Sequence, residues 1–333
     1  MKKNINKISI LGATSWGITL ANILSENIKD IVILTRNDTE TRRLKKEKHI
    51  KRDKIYKLKN SISISNNYEE EIFDSDIIIL AVPSASIREN LNSIHDFITN
   101  EKIIISAIKG FEYKSEKLIS DYILEKTKIN KKNLGVISGP NISSEIYDGL
   151  PATTVIGINK EYEEIIREIF NTNNFRAYSS NDLKGIEVGG VLKNIFAIGA
   201  GIIQQYDLGT NAMAAYITRS LFEMNKVILL FGGKESSTFG NSGLGDLITT
   251  CFNGKSRNNQ LGVLIAKGHN ISSAQKKING IIEGINSTKI IKNLLSRKDI
   301  ETPIISEIYK VLFESKDPKI GIKDLMDRDY SRE

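Results

Sequence analysis

ISILGATSWGITLANILSEN, residues 8–27, is the stretch whose reading decides the fold. Its first four residues, ISIL, read as a buried strand, ITLANILSEN (18–27) reads as a helix, and GATSWG (12–17) is the turn between them. A strand that runs through glycines into a helix is the position of a dinucleotide-binding turn. Gly12 permits the tight exit from the strand, Gly17 permits close packing of the helix, and the amides at the helix start can hold a pyrophosphate. The middle glycine of the G-x-G-x-x-G pattern is replaced by Thr14, which is expected to crowd the approach of the backbone to the phosphates.

Outward from this unit, further apolar runs alternate with helical patterns: IVIL (31–34), SISI (61–64), DIIILAV (76–82), KIIISAI (102–108), LGVIS (134–138) and TTVIG (153–157). Such unbroken runs imply strands buried on both faces, and their alternation with helices predicts a parallel, doubly wound α/β sheet. After about residue 180 the pattern changes. Residues 187–205, 210–231, 256–267, 286–296 and 304–314 have helical periodicity, so the second domain is expected to be all helical.

The bulk properties exclude several classes. With 333 residues and 40% hydrophobic residues the chain has material for a large core and two domains. The longest apolar runs, IIILAV (77–82) and VILLF (227–231), fall short of the roughly 18 residues of a membrane span, so a soluble protein without one is expected. The opening MKKNINKISILGA has a short, interrupted apolar run and no convincing cleavage site, and reads as a strand rather than a secretory signal. One cysteine, Cys251, excludes an intrachain disulfide and fits a reducing cytoplasm. His49, His95 and His269 are scattered and give no metal signature. The net charge of +7 is concentrated in residues 42–59, where ten Lys/Arg face only Glu47 and Asp53, leaving −1 for the rest. We read this run as a solvated basic face near an anionic cofactor, not a nucleic-acid patch, since only Tyr56 is available for stacking.

The chemistry concentrates in a few segments. EVGGVLKNIFAIGAGI (187–202) sets Lys193 and Asn194 in an apolar helical pattern; the neighbours of Lys193 at spacings of three and four are Gly189, Gly190, Phe196 and Ala197. A lysine leaving from such a packed face is a candidate to pass protons near neutral pH, although it can also snorkel to the surface along its stem. At the end of the second strand, where an acid would accept bonds from a ribose, the chain has Arg36. That cation suits a 2′-phosphate and predicts NADPH, with NADH also possible. SAIKGFE (106–112) puts Lys109 after a buried strand, at the sheet edge where ligands of open α/β folds bind. SGPNISSEIYDGLP (138–151) is a second strand-end turn. GLGDLITTC (243–251) carries Asp246 in an apolar setting, and GKSRNNQLG (254–262) places Ser256 as an N-cap with Arg257 and Asn258 in the first helical turn, an arrangement suited to a phosphate.

The order GATSWG, AVPS (81–84), IKGFE, SGPNISSE, GGVLKNIFAIGAGI, GTNAMAAYITR (209–219), GLGDL, SRN and EG (283–284) resembles bacterial NAD(P)-dependent glycerol-3-phosphate dehydrogenases over nearly the whole chain. The resemblance implies an N-terminal Rossmann-like domain over residues 1–183, an all-helical C-terminal domain over 184–333, and reversible reduction of dihydroxyacetone phosphate to sn-glycerol 3-phosphate, the entry to phospholipid glycerol. It implies Lys193 as proton donor and acceptor, with Lys109 and Asp246 beside it as catalytic groups. Gly139, Asn141, Ser256, Arg257 and Asn258 join Lys109 and Asp246 around the substrate. Gly12, Ser15, Trp16, Gly17, Arg36, Lys109, Ser143, Arg257, Ile281 and Glu283 fall at cofactor positions. The implied partner is a phosphorylated triose, with no nucleic acid, and a homodimer is the expected assembly. Three residues depart from the family pattern: Thr14 for glycine, Asn141 for Ser or Thr, and Ser143 for Ala; Met213 replaces a usual lysine. Two other readings compete. A ketopantoate- or hydroxyacid-type dehydrogenase would share the domains and the helix-borne lysine but would not need Ser-Arg-Asn, and a non-catalytic dinucleotide sensor would not need Lys193, Asn194 and Asp246.

Overall fold

A computed structural model describes residues 5–298 and 300–328. They fall into two compact units, Met1–Glu187 and Val188–Glu333.

The first unit is built on an eight-stranded sheet of β1 (Lys7–Leu11), β2 (Asp30–Leu34), β3 (Ser63–Ser65), β4 (Ile77–Leu80), β5 (Ile103–Ser106), β6 (Leu134–Ser138), β7 (Ala152–Gly157) and β8 (Phe175–Ser180), in the order 8-7-6-5-4-1-2-3. Six strands, 3-2-1-4-5-6, run parallel in the dinucleotide-binding order, with the switch point between β1 and β4. The runs of isoleucine explain this arrangement. Successive residues of a strand point to opposite faces, so a sheet covered on both sides needs apolar residues at every position. Ile77 and Ile79 of β4 accordingly enter one core with Ile8, Ile10 and Ile33, while Ile78 and Leu80 enter the other with Leu11, Val32 and Ile104.

The parallel expectation fails at one edge. β7, the predicted TTVIG strand, is antiparallel to β6, and β8 pairs parallel with β7. The connection from β6 to β7 carries only the short helix Ser143–Tyr147, and an antiparallel return needs no long crossover. β8 was not expected from apolar runs because FRAYSS alternates buried Phe175 and Ala177 with exposed Arg176 and Tyr178. Helix α1 (Ser15–Leu24) follows β1, and α2 (Asp38–Glu47) follows β2.

Among the described residues, every element of the second unit is helical. The chain passes into it within α3 (Leu183–Gln205), followed by α4 (Gly209–Leu230), α5 (Asp246–Phe252), α6 (Arg257–Ala266), α7 (Glu283–Ser296) and α8 (Pro303–Phe313). By length and composition α3 is apolar enough to cross a membrane, yet its most apolar window is 94% buried inside the protein, as befits a core helix. Its small residues have a use: a Cβ on Gly201 would overlap the Asn259 carbonyl oxygen of α6, and one on Gly262 of α6 would overlap the Ile198 carbonyl oxygen of α3. The two helices therefore cross with their backbones in contact. In an exposed helix Gly→Ala would gain up to about 1 kcal/mol from helix propensity. At Gly262 the overlap with backbone dominates, so Gly262→Ala is expected to lower stability by about 1–3 kcal/mol, the cost of overpacking. Thermal and urea unfolding measure this, and a Tm at or above wild type would show that the crossing tolerates the methyl.

Candidate active site

At the switch point the turn after β1 meets the end of β4. Gly12 has φ +118°, and a Cβ there would lie 2.8 Å from the Ala81 carbonyl oxygen. A Cβ on Gly17 would overlap the Gly12 carbonyl, so both glycines are required by close backbone approach. Thr14 is the N-cap of α1: its hydroxyl accepts from Gly17 N (3.0 Å) and donates to the Ala81 carbonyl (2.9 Å), which holds the AVPS segment against the turn. This N-cap role, in place of the expected crowding of the turn, is not apparent from the sequence alone. Ser15 and Trp16 occupy the first turn of α1, where amides lack helical partners and a pyrophosphate can be bound. Trp16 also packs against the core. Ser143 opens the helix after β6, and its carbonyl accepts from Thr19 Oγ1 at 3.4 Å. Tyr56, unremarked in the sequence except as a stacking candidate, stands beside the Ser15 and Ser143 hydroxyls; it is fully buried and donates to Asp53. Burial pushes its phenol above the ordinary range.

Arg36, just past β2, is exposed, and no carboxylate lies within ion-pair distance of it among the described residues. Its backbone N–H donates to Glu40 (3.1 Å), while the N-cap Asn37 accepts from Glu40 N (2.9 Å). The nearby acid, Asp38, accepts from Asn66 at 2.7 Å. The guanidinium is thus presented to solvent beside the turn that follows β2.

At the carboxyl edge of β5 and β6, Lys109 donates to the Gly139 carbonyl at 3.0 Å. Gly139 has φ +141° and abuts the backbone of Thr153 and Thr154. Asn141 takes part in the same brace: its amide nitrogen donates to Thr153 O (3.0 Å) and its oxygen accepts from Thr154 Oγ1 (2.9 Å), which leaves one N–H of the amide for another partner. The departure at this position ties the turn to β7.

In the second unit the lysine and the acid meet. Lys193 Nζ donates to Asp246 Oδ1 at 2.9 Å and to Thr250 Oγ1 at 2.8 Å. The Lys193 side chain is 13% exposed and that of Asp246 only 1%. Gly189, one turn earlier on α3, explains how they approach: a Cβ there would sit 2.7 Å from Ser242 O, in the turn Asn241–Gly245 that leads into α5. Thr250 was not singled out from the sequence, although its i+4 spacing from Asp246 places both on one face of α5. It donates to the Asp246 carbonyl at 2.7 Å. The neighbouring Cys251 thiol is pushed up to about 12 by burial.

The Ser-Arg-Asn segment begins α6. Ser256 is its N-cap, accepting from Asn259 N at 3.4 Å. Asn258 donates to Asn194 Oδ1 (2.8 Å) and accepts from Gly284 N (2.9 Å), so one amide joins α3, α6 and the start of α7. Arg257 is exposed, and its guanidinium lies against Gly280. The segment thereby meets the turn that carries Ile281, which is 38% exposed, and Glu283, the first residue of α7. Asn259, also unremarked in the sequence, donates to Gln204 Oε1 (2.8 Å) and to the Cys251 carbonyl (3.0 Å), fixing the end of α5.

Comparisons with known proteins identify the family of the chain. Residues 7–164 match the NAD-dependent glycerol-3-phosphate dehydrogenase N-terminus and residues 182–323 the C-terminus of the same family. A curated relative from Fusobacterium nucleatum, named glycerol-3-phosphate dehydrogenase (NAD(P)+), is 37% identical, with 98% of each chain covered. One from Clostridium botulinum with the same name is 36% identical over 99% of each. The crystal structure of glycerol-3-phosphate dehydrogenase from Coxiella burnetii superposes with a TM-score of 0.89 at 29% identity, covering 97% of this chain and 99% of that one. A probable 2-dehydropantoate 2-reductase from Bacillus subtilis, at 14% identity and a TM-score of 0.56, shares the fold alone. Matched at both its sheet and its helical unit, the chain belongs to the NAD-dependent glycerol-3-phosphate dehydrogenase family.

Proposed function

We propose that the protein catalyses the reversible NAD(P)H-dependent reduction of dihydroxyacetone phosphate to sn-glycerol 3-phosphate, supplying glycerol for glycerophospholipids. The observation that carries the reading is the Lys193 ammonium fixed between Asp246 and Thr250 at 2.9 and 2.8 Å. Two of its three N–H donors are committed to these oxygens, which leaves one for a substrate oxygen and fixes its direction. Lys193 then gives its proton to the ketone oxygen as negative charge develops there, and takes it back in the reverse direction. Asp246 and Thr250 hold Nζ in place.

The residues of the first unit suit a dinucleotide: Gly12 and Gly17 carry no side chain where the turn packs closely, α1 offers its first amides, and Arg36 offers an exposed guanidinium with no ion-pair partner among the described residues. When bound, that cofactor supplies the hydride. Ser15, Trp16, Ser143, Ile281 and Glu283 are the further cofactor positions we propose. Arg257, exposed in the first turn of α6, binds the substrate phosphate, where the helix dipole adds to its charge; Ser256 and Asn258 shape that turn. For Lys109, Gly139 and Asn141 we propose substrate contacts, with Lys109 also serving the cofactor. A cytoplasmic location fits the buried free thiol of Cys251. A homodimer is supported by Phe222 and Leu229, which expose 47% and 50% of their surface on α4.

Lys193→Ala is expected to lower kcat by ~100-fold or more while reduced-cofactor binding stays near wild type. It also strands a buried carboxylate, so thermal stability falls as well. Turnover within a few-fold of wild type would refute the assignment. Arg257→Ala is expected to raise KM for dihydroxyacetone phosphate strongly, with little change for unphosphorylated dihydroxyacetone; an unchanged KM would place the phosphate site elsewhere. For the cofactor, the wild type is expected to prefer NADPH, and Arg36→Ala to narrow the kcat/KM ratio of NADPH over NADH chiefly by weakening NADPH. A wild-type preference for NADH would overturn the role of Arg36.

A further inference from the structure

The basic run 42–59 is not used by the chemistry above, and its three-dimensional arrangement is specific. Residues His49–Lys51 and Ile55–Lys57 form a two-stranded antiparallel hairpin, with Ile50 opposite Tyr56 and Lys51 opposite Ile55. Ile50 and Tyr56 point inward and belong to the core of the first unit. The hairpin is held further by Asn22 donating to Lys57 O (2.9 Å) and by Lys57 N donating to Tyr147 OH (2.7 Å). The alternation that buries one face turns Lys51, Ile55 and Lys57 outward. Ile55 is 48% exposed at the tip, opposite Lys51 and next to the connecting segment that carries Arg52 and Lys54.

Helix α2 packs beside the hairpin and adds exposed Arg42, Arg43, Lys45 and Lys46. Few of these charges are neutralised. Arg43 pairs weakly with Glu47 at 3.8 Å, Lys54 pairs with Asp148, and Lys59 with Glu26 at 3.3 Å. Arg42, Lys45, Lys46, Lys51, Arg52 and Lys57 have no carboxylate within 4.0 Å among the described residues.

We propose that this face of the first unit docks on an anionic phospholipid surface. Charge complementarity requires an anionic partner, and clusters of four to eight Lys/Arg are the size that anionic lipid attracts. The choice between lipid and nucleic acid rests on two side chains. Tyr56, the aromatic residue of the run, is 0% exposed and offers no ring for base stacking. Ile55 gains nothing from a polyphosphate in water, but at the boundary of headgroups and acyl chains its exposed surface is removed from water while the surrounding ammonium groups stay among phosphates.

Flotation with vesicles of equimolar phosphatidylglycerol and phosphatidylcholine tests the proposal, with pure phosphatidylcholine vesicles and a single-stranded oligonucleotide as the other arms. The wild type is expected to float with the anionic vesicles only and to be released by salt, because surface attraction extends only over about a Debye length. With each cation near the surface worth about fivefold in partitioning, the combined variant Lys45→Gln, Lys46→Gln, Lys51→Gln and Lys57→Gln is expected to lose roughly a hundredfold or more. Ile55→Ser is expected to weaken vesicle binding severalfold and leave oligonucleotide binding unchanged. All these positions are exposed, so melting temperature and dehydrogenase turnover should match wild type. Equal flotation with both vesicle types, or wild-type flotation by the combined variant, would overturn the proposal. So would vesicle binding indifferent to Ile55→Ser, and together with tight oligonucleotide binding it would assign the face to nucleic acid.

Discussion

The helical unit depends on backbone touching backbone. α3 meets α6 at Gly201 and Gly262, and meets the turn before α5 at Gly189, at separations that no side chain could occupy. Contact this close does two things at once. It buries the main chains of the elements that carry polar groups, and it sets those groups at hydrogen-bond distance, so Lys193 finds Asp246 and Thr250 while Asn194 finds Asn258. Removing charges from water is costly, and a buried pair is weak evidence of stabilisation. The packing of α3, α5 and α6 therefore has to hold the pair together, not the reverse. The result is a rigid mount for an ammonium group, which is what proton transfer in a fixed direction requires.

The sheet unit solves a different problem with the same means. At the switch point Gly12 and Gly17 clear space around the turn, and the Thr14 hydroxyl ties that turn to the end of β4. The residues on which a dinucleotide would rest are thus fixed by bonds that do not involve it. Asn141 acts in the same manner one turn further along the sheet edge, spending its amide on Thr153 and Thr154.

Much of this was legible in the sequence because the signals are redundant. Isoleucine at successive positions has one physical meaning, a strand covered on both faces, and β1, β2 and β4–β6 appeared where those runs lie. Lys193 was visible because a charge on a glycine-lined helical face is conspicuous. What remained hidden depends on direction. β8 has an alternating pattern with polar outward residues, so a search for unbroken apolar runs passes over it, and the antiparallel turn of β7 is set by the length of its connection. Nothing in the letter Thr at position 14 says that its hydroxyl points inward to Ala81. Thr250 and Asn259 likewise look like ordinary helix residues until the partner helix is in place.

The position of Cys251 has a practical consequence. Its sulfur is buried in α5 beside the lysine and the aspartate, and its thiol is held in the protonated form far above neutral pH. Alkylating agents and peroxide act on exposed thiolates, so the native protein should be indifferent to both. Any slow reaction of this thiol would proceed through opening of the helices around it, which makes its labelling rate a clock for local unfolding of the unit that carries Lys193.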